Sequence, residues 1–214
     1  MEVLGGLESG RLYRFEVPGL GYGVDLPLTV LPSGERRIRI ASLNLVGQIG
    51  LNRDLGRLLA RRVREVFPDR DGLVFMTVVE KALMLTQAMA QELGLTAVAV
   101  AYNRVKPHME AKRRPVIQVG SSSVTSGSKF MAVYERDINL IARASRGIVV
   151  IDDVVSTGGT LLALEDLLEE VRDHLNRPLP GIAAAFCVAQ EGDRQTLPSY
   201  PVHALTRLPA PEFV

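Results

Sequence analysis

Two adjacent aspartates, Asp152 and Asp153, stand just before a hydroxyl-glycine run, Ser156-Thr157-Gly158-Gly159-Thr160. The two groups do different chemistry. Ionised carboxylates accept hydrogen bonds and repel anions, so they suit a neutral polyol such as a ribose diol. Glycines let backbone N–H groups approach an anion closely, and Ser156, Thr157 and Thr160 add hydroxyl donors. Gly147 to Ile151, mostly β-branched and unbroken by charge, reads as a short buried strand. Leu161, Leu164, Leu167, Leu168 and Val171 recur at helical spacing after the run. The order is therefore strand, acid pair, small-residue turn, helix N-terminus. Ligands of open α/β sheets sit outside the carboxyl ends of strands. A phosphate beside a diol spells a ribose 5-phosphate. The competing reading is an ordinary βα turn with a Ser/Thr N-cap. It leaves two adjacent charges at a strand end without a purpose.

If the sheet is parallel, two other strand ends share that edge: Met76 to Ala82 and Ala101 to Met109. They bring the available cations, Lys81, Arg104 and Lys106. A departing pyrophosphate needs cations and N–H donors where its charge develops. Each also has a plainer reading, Lys81 as a helix-start surface residue and Lys106 as part of a proline loop. His108 is a candidate acid or base, and otherwise a surface histidine. Tyr134 and Glu135 are candidates for contact with a bound substrate. Glu80 reads as a surface partner of Lys81, and His174 and His203 as structural.

Residues 147–160 resemble the 5-phosphoribosyl-1-pyrophosphate (PRPP) motif of the type I phosphoribosyltransferases. That motif is an apolar strand, two acids, two apolar residues and a Thr-Gly-Gly-Thr loop, and every position is matched. The nucleotide P-loop is not matched, since no Gly-Lys-Ser/Thr follows. Within the family the chain is most similar to adenine phosphoribosyltransferase-like, purine-using proteins. A bacterial subgroup of these carries Glu-Ala-Lys-Gly and Arg-Lys-Ser-Val-Lys-Pro-Tyr-Met. Here the runs are Val79-Glu80-Lys81-Ala82 and Tyr102-Asn103-Arg104-Val105-Lys106-Pro107-His108-Met109. Two departures stand out. Tyr102-Asn103 replaces an Arg-Lys pair, with Arg104 displaced as a substitute cation. Ala82 replaces the loop glycine, so a positive φ there would be harder to reach. The segment Ser123 to Gly127 resembles the subgroup's flap.

The resemblance implies transfer of ribose 5-phosphate from PRPP to a nucleobase, a purine of the adenine type, with release of pyrophosphate, as in nucleotide salvage. It implies that Val155, Ser156, Thr157, Gly158, Gly159 and Thr160 bind PRPP with Asp152 and Asp153. It implies that Lys81, Arg104 and Lys106 bind pyrophosphate, and that Asp152, Asp153 and Lys106 are catalytic. Mg²⁺ would arrive on PRPP oxygens, with no dedicated metal cluster. A homodimer is expected. The lost Arg-Lys pair keeps a second reading open, a non-catalytic regulator that senses PRPP. A kinase or other α/β phosphate binder is a third, disfavoured by the missing Gly-Lys-Ser/Thr.

These residues need a scaffold. The 214-residue chain has 47% apolar and 23% charged residues, an ordinary composition for one globular core. A net charge of +1 gives no nucleic-acid signal. Arg57, Arg61, Arg62 and Arg64 read as the solvated face of an amphipathic helix. The single cysteine, Cys187, lies in an apolar run and is expected buried and reduced, hence a cytoplasmic location. No apolar run approaches the ~18 residues of a membrane span, and Met1-Glu2-Val3 has no basic leader region. The expected fold is α/β, an open, mostly parallel sheet flanked by helices, with a flap hairpin and a small N-terminal β hood. Residues 1–48 are expected as the hood, 49–197 as the α/β core and 198–214 as a C-terminal tail. Strands are expected at 72–77, 96–102, 147–151, 182–188 and near 202–205, and helices at 55–66, capped by Asn52 to Asp54, at 83–93 and up to about 174. Val116–Val119 and Phe130–Tyr134 should form the hairpin around a Ser/Gly tip, a mobile flap rather than core.

Overall fold

The structure is a computed structural model that describes residues 8–103, 117–119, 130–192 and 198–214. Five parallel strands form the main sheet: β4 (Leu73–Val78), β5 (Ala99–Ala101), β8 (Gly147–Val155), β9 (Ile182–Glu191) and β10 (Val202–Leu208). Their order is β10-β9-β8-β4-β5. Four helices accompany them: α1 (Ile49–Val66), α2 (Leu83–Leu93), α3 (Glu135–Ile141) and α4 (Gly159–Leu175).

Alternation along the central strand explains the layering. Val149 and Ile151 face one core, with Leu55, Leu59 and Val63 of α1 and Leu85 and Met89 of α2. Ile148 and Val150 face the other, with Leu161, Leu164, Leu167 and Val171 of α4 and Ile138 and Ile141 of α3. All these residues are essentially sealed from solvent. Both faces are covered, which is why Gly147–Ile151 of β8 and Ile182–Ala189 of β9 read as unbroken apolar runs.

A second, antiparallel sheet contains β1 (Glu8–Glu16), β2 (Gly23–Ser33), β3 (Arg36–Ala41) and β11 (Glu212–Phe213), in the order β1-β2-β3-β11. It is not an independent unit. Phe15, Val17, Leu20 and Leu26 join the core under α1 and α2, and the Tyr22 hydroxyl donates to Asp54 Oδ2 of α1 at 2.9 Å.

Several expectations are corrected. Residues 198–214 are not a separate tail: β10 completes the main sheet and β11 pairs with β3, Phe213 opposite Ile38. The strand expected at 147–151 runs on to Val155, because β9 continues beside it, Asp152 opposite Cys187 and Val155 opposite Gln190. Likewise β9 extends to Glu191. The hairpin forms from β6 (Ile117–Val119) and β7 (Met131–Val133). Met131, Ala132 and Val133 are buried, so that arm is core; the tip, 120–129, lies outside the described residues. Helix α3 was not anticipated, its single apolar pair being too short a period to read. Asn52 is inside α1 rather than capping it, and donates from Nδ2 to the carbonyls of Leu45 and Gln48.

Candidate active site

The sheet divides at β4 and β8. From β4 the chain moves out through α2 to β5; from β8 it moves the other way through α4 to β9 and β10. Pairing between β4 and β8 ends at Thr77 and Ile151, where the Thr77 hydroxyl donates to the Ile151 carbonyl at 2.9 Å. Beyond that rung β8 is held by β9 alone, and a cavity of about 430 Å³ opens in the gap. Reversal of strand order is where α/β sheets bind ligands.

Asp152 and Asp153 both border this cavity. Consecutive strand residues point to opposite faces, so one cavity reaches both only because it wraps the sheet edge. Asp153 is buried, at 7% exposure, and its backbone N–H donates to Asp152 Oδ1 at 2.9 Å. Asp152 also borders a second recess of about 60 Å³, walled by Val155 to Thr160. Val154, Ser156 and Thr160 line both spaces as well, so the narrow polar cradle and the larger cavity share one wall that includes Asp152.

The cradle is built from backbone. Gly158 is the N-cap of α4, with φ +82°, and no side chain caps the helix. Its position needs glycine, and the N–H groups of the first turn are left without a capping side chain. Gly159 N–H to Thr157 Oγ1 is long, 3.5 Å. A helix N-terminus with no capping side chain, together with three hydroxyls, makes an anion site.

On the other flank β4 turns through Val79 to Ala82 into α2. The Val79–Glu80 peptide is cis, and Lys81 is exposed on the cavity rim. Ala82 is the N-cap of α2 with φ −84°, an ordinary right-handed conformation. The missing glycine therefore carries no conformational penalty. Tyr102 is buried against Tyr134, ring centroids 5.0 Å apart and edge-to-face. At this position a cation has been exchanged for core packing, while Asn103 borders the cavity. Tyr134 is thereby a core residue. Arg104, Lys106 and His108 lie outside the described residues. His203 stacks near Phe186 at 4.9 Å, and burial, then Arg62, hold its imidazole below the ordinary range. Neither His174 nor His203 borders the cavity. Arg57, Arg61 and Arg62 pair with Asp54, Glu65 and Glu92, as a solvated helix face should.

The model of the phosphoribosyl transferase domain family matches residues 47–192. The chain belongs to this family. Among relatives of this phosphoribosyl transferase domain, the adenine phosphoribosyltransferase of Rhodococcus opacus is 30% identical over 132 residues, 62% of this chain and 67% of that protein. That of Corynebacterium efficiens is 28% identical over 125 residues, 58% of each chain, so less than two thirds of that relative is spanned. The crystal structure of adenine phosphoribosyltransferase from Thermoanaerobacter pseudethanolicus shares the fold, with a TM-score of 0.52 at 14% identity over 84% of this chain and 95% of that one.

Ser42, Leu208 and Glu191 border the phosphoribosyl transferase domain's cavity without having been singled out in the sequence, and Asn103, marked there as a lost cation, borders it too. Ser42 follows β3 and overhangs the cavity from the second sheet. Glu191 is the last residue of β9. Burial pushes its carboxyl above the ordinary range, and nearby Lys81 partly opposes this. Among the described residues no group of three or more His, Cys, Asp or Glu side chains could enclose a metal ion, and no helix is long and apolar enough to cross a membrane.

Proposed function

We propose that this chain transfers the 5-phosphoribosyl group of PRPP to a purine, adenine by preference, with release of pyrophosphate. The observation that carries the reading is the shared wall: Asp152 borders both the anion cradle and the large cavity. A single ligand with its phosphate in one and its diol against the other is a ribose 5-phosphate.

In this reading the N–H groups and hydroxyls of residues 156–160 hold the 5-phosphate. Asp152 and Asp153 accept hydrogen bonds from the ribose hydroxyls, and their charge favours the positive ring that develops as C1–O breaks. Lys81, with Lys106 and Arg104, receives the pyrophosphate. A ring nitrogen of the base forms the new bond to C1, and its proton leaves with the products. Ile40 to Leu43 overhang the cavity as the hood over the base. Mg²⁺, carried on PRPP oxygens, supplies charge neutralisation when bound. The carboxylates of Asp152 and Asp153, which border the cavity, would suit a hard cation shared with substrate rather than enclosed by protein. A homodimer accords with the exposed Val46 and Ile49 at the start of α1. A reducing, cytoplasmic setting accords with the buried Cys187, which is in no disulfide.

The test is pyrophosphate release from PRPP with adenine, guanine, hypoxanthine, xanthine and orotate, beside a thermal-shift series with PRPP and Mg²⁺. Release with adenine is expected, with PRPP raising the unfolding temperature by mass action. Stabilisation by PRPP with no turnover of any base would replace the enzyme by a sensor. Sedimentation at micromolar concentration checks the dimer.

A further inference from the structure

Glu191 is a charged group in the cavity that no part of the mechanism uses. Its location is informative because strand order places the parts of the ligand. β8 lies between β4 and β9. Whatever the acid pair of β8 holds therefore has the Glu80-Lys81 turn after β4, which carries a cation bordering the cavity, on one flank and Glu191, from the end of β9, with no cation beside it in sequence, on the other. A pyrophosphate is drawn to the lysine and repelled by the carboxylate. The leaving group belongs to the β4 flank, and the incoming base to the β9 flank.

The walls on that flank agree. Ile40 and Leu43 from the second sheet and Leu208 from β10 border the same cavity. Apolar side chains suit the faces of a flat ring, which gains by leaving water. A ring packed there still needs its polar edge satisfied, and an unmatched buried polar group is costly. An ionised carboxylate can only accept hydrogen bonds. It welcomes an amine and repels a carbonyl oxygen in the same place. Burial raises the Glu191 carboxyl, and the Lys81 charge opposes this by favouring the ionised form.

We propose that Glu191 is a specificity-determining residue, accepting a hydrogen bond from the exocyclic 6-amine of the base and so selecting a 6-aminopurine over a 6-oxopurine. This rests on the transferase reading above. Adenine and hypoxanthine share their ring system and differ only along this edge, an amine beside a bare N1 against a carbonyl beside an N1–H, which makes them the natural pair of probes.

The experiment compares the chain with Glu191→Gln and Glu191→Leu, by initial rates of pyrophosphate release with adenine, hypoxanthine, guanine and xanthine at saturating PRPP. The adenine-to-hypoxanthine ratio of kcat/KM should fall about tenfold or more in Glu191→Leu, the scale of one charge-assisted hydrogen bond. In Glu191→Gln it should fall less, because the amide keeps one acceptor and offers a donor to the oxo base. KM for PRPP should stay within about twofold in both, an effect of under about 0.4 kcal/mol. Thermal stabilisation by PRPP alone checks that each variant is folded; the near-isosteric glutamine carries the test if leucine is not tolerated. Turnover with an unchanged ratio in the variants overturns the role of Glu191 and leaves the transferase standing. A rise in KM for PRPP with equal losses on every base assigns Glu191 to the pyrophosphate side and overturns it too. So does a change confined to the guanine-to-xanthine ratio, which would move the contact to the 2-position. No turnover of any base by the unaltered chain overturns the transferase itself, and this inference with it.

Discussion

The two flanks of β8 are built in opposite ways. The cradle flank is a single run of chain, Asp152 to Thr160, passing from strand through turn to helix. The base flank is assembled from distant pieces: Ile40 to Leu43 after β3, Glu191 at the end of β9 and Leu208 at the end of β10. On the reading proposed above, the first grips what every ligand of the site must share, a phosphate and a diol, and the second meets the variable part. The shared chemistry would then be encoded in one contiguous run, and selectivity by topology, in pieces far apart in sequence.

Four variants probe that contrast, in falling order of effect. Asp153→Ala removes a buried carboxylate at the reacting sugar. We expect kcat for pyrophosphate release to fall by about 100-fold or more, the usual loss when a preorganised polar group facing developing charge is deleted. Unchanged turnover would mean that the acid pair serves only the fold. Lys81→Ala acts on the leaving-group side. KM for PRPP should rise about tenfold, the scale of one charge-assisted contact, with KM for adenine unaltered. An equal rise for both substrates would erase the division between flanks.

Gly158→Ala puts a Cβ on a left-handed residue at the helix cap. The strain is about 1–2 kcal/mol, and each kcal/mol lowers the melting temperature by about 2–4 °C at this chain length. PRPP should bind several-fold more weakly, read by the same thermal-shift titration. The smallest effect is a pH dependence at Glu191. Its carboxyl titrates higher in the folded chain than the ordinary 4.5, so the folded state holds that proton more tightly. The associated stability is complete below pH 4.5 and is lost as pH rises through the folded value. Glu191→Gln has no such loss. Its melting temperature relative to the parent should therefore be higher near neutrality than below pH 4.5, and a flat difference would refute the burial.

The same contrast governs what could be read from the sequence. The cradle was legible residue by residue, because strand period, acids, glycines and helical stripe follow one another without a gap. So were β4 with α2 and its glycine stop: Gly94 does take the left-handed φ of +72°. Glu191 was not, since β9 was expected to stop at Val188, and strand length depends on a neighbour. β8 supplies that neighbour up to Val155, and β10 pairs as far as Glu191 itself. The destination of residues 202–213 was equally hidden. Leu208 gives no sign that it will border a cavity, nor Phe213 that it will pair with Ile38. Tyr102 shows the reverse error. Judged against a motif it was a missing cation, whereas its place is decided by Tyr134, more than thirty residues away.

β3 carries one further meaning. It ends in Ile40 and Ala41 and is an interior member of its sheet, hydrogen-bonded to β2 on one side and to β11 on the other. β11 grips β3 at Ile38 and Arg39, and β2 carries the pairing on through Ile40 and Ala41. The strand that roofs the cavity is thus moored to a neighbour along its whole length, its position set in part by residues far from it in sequence.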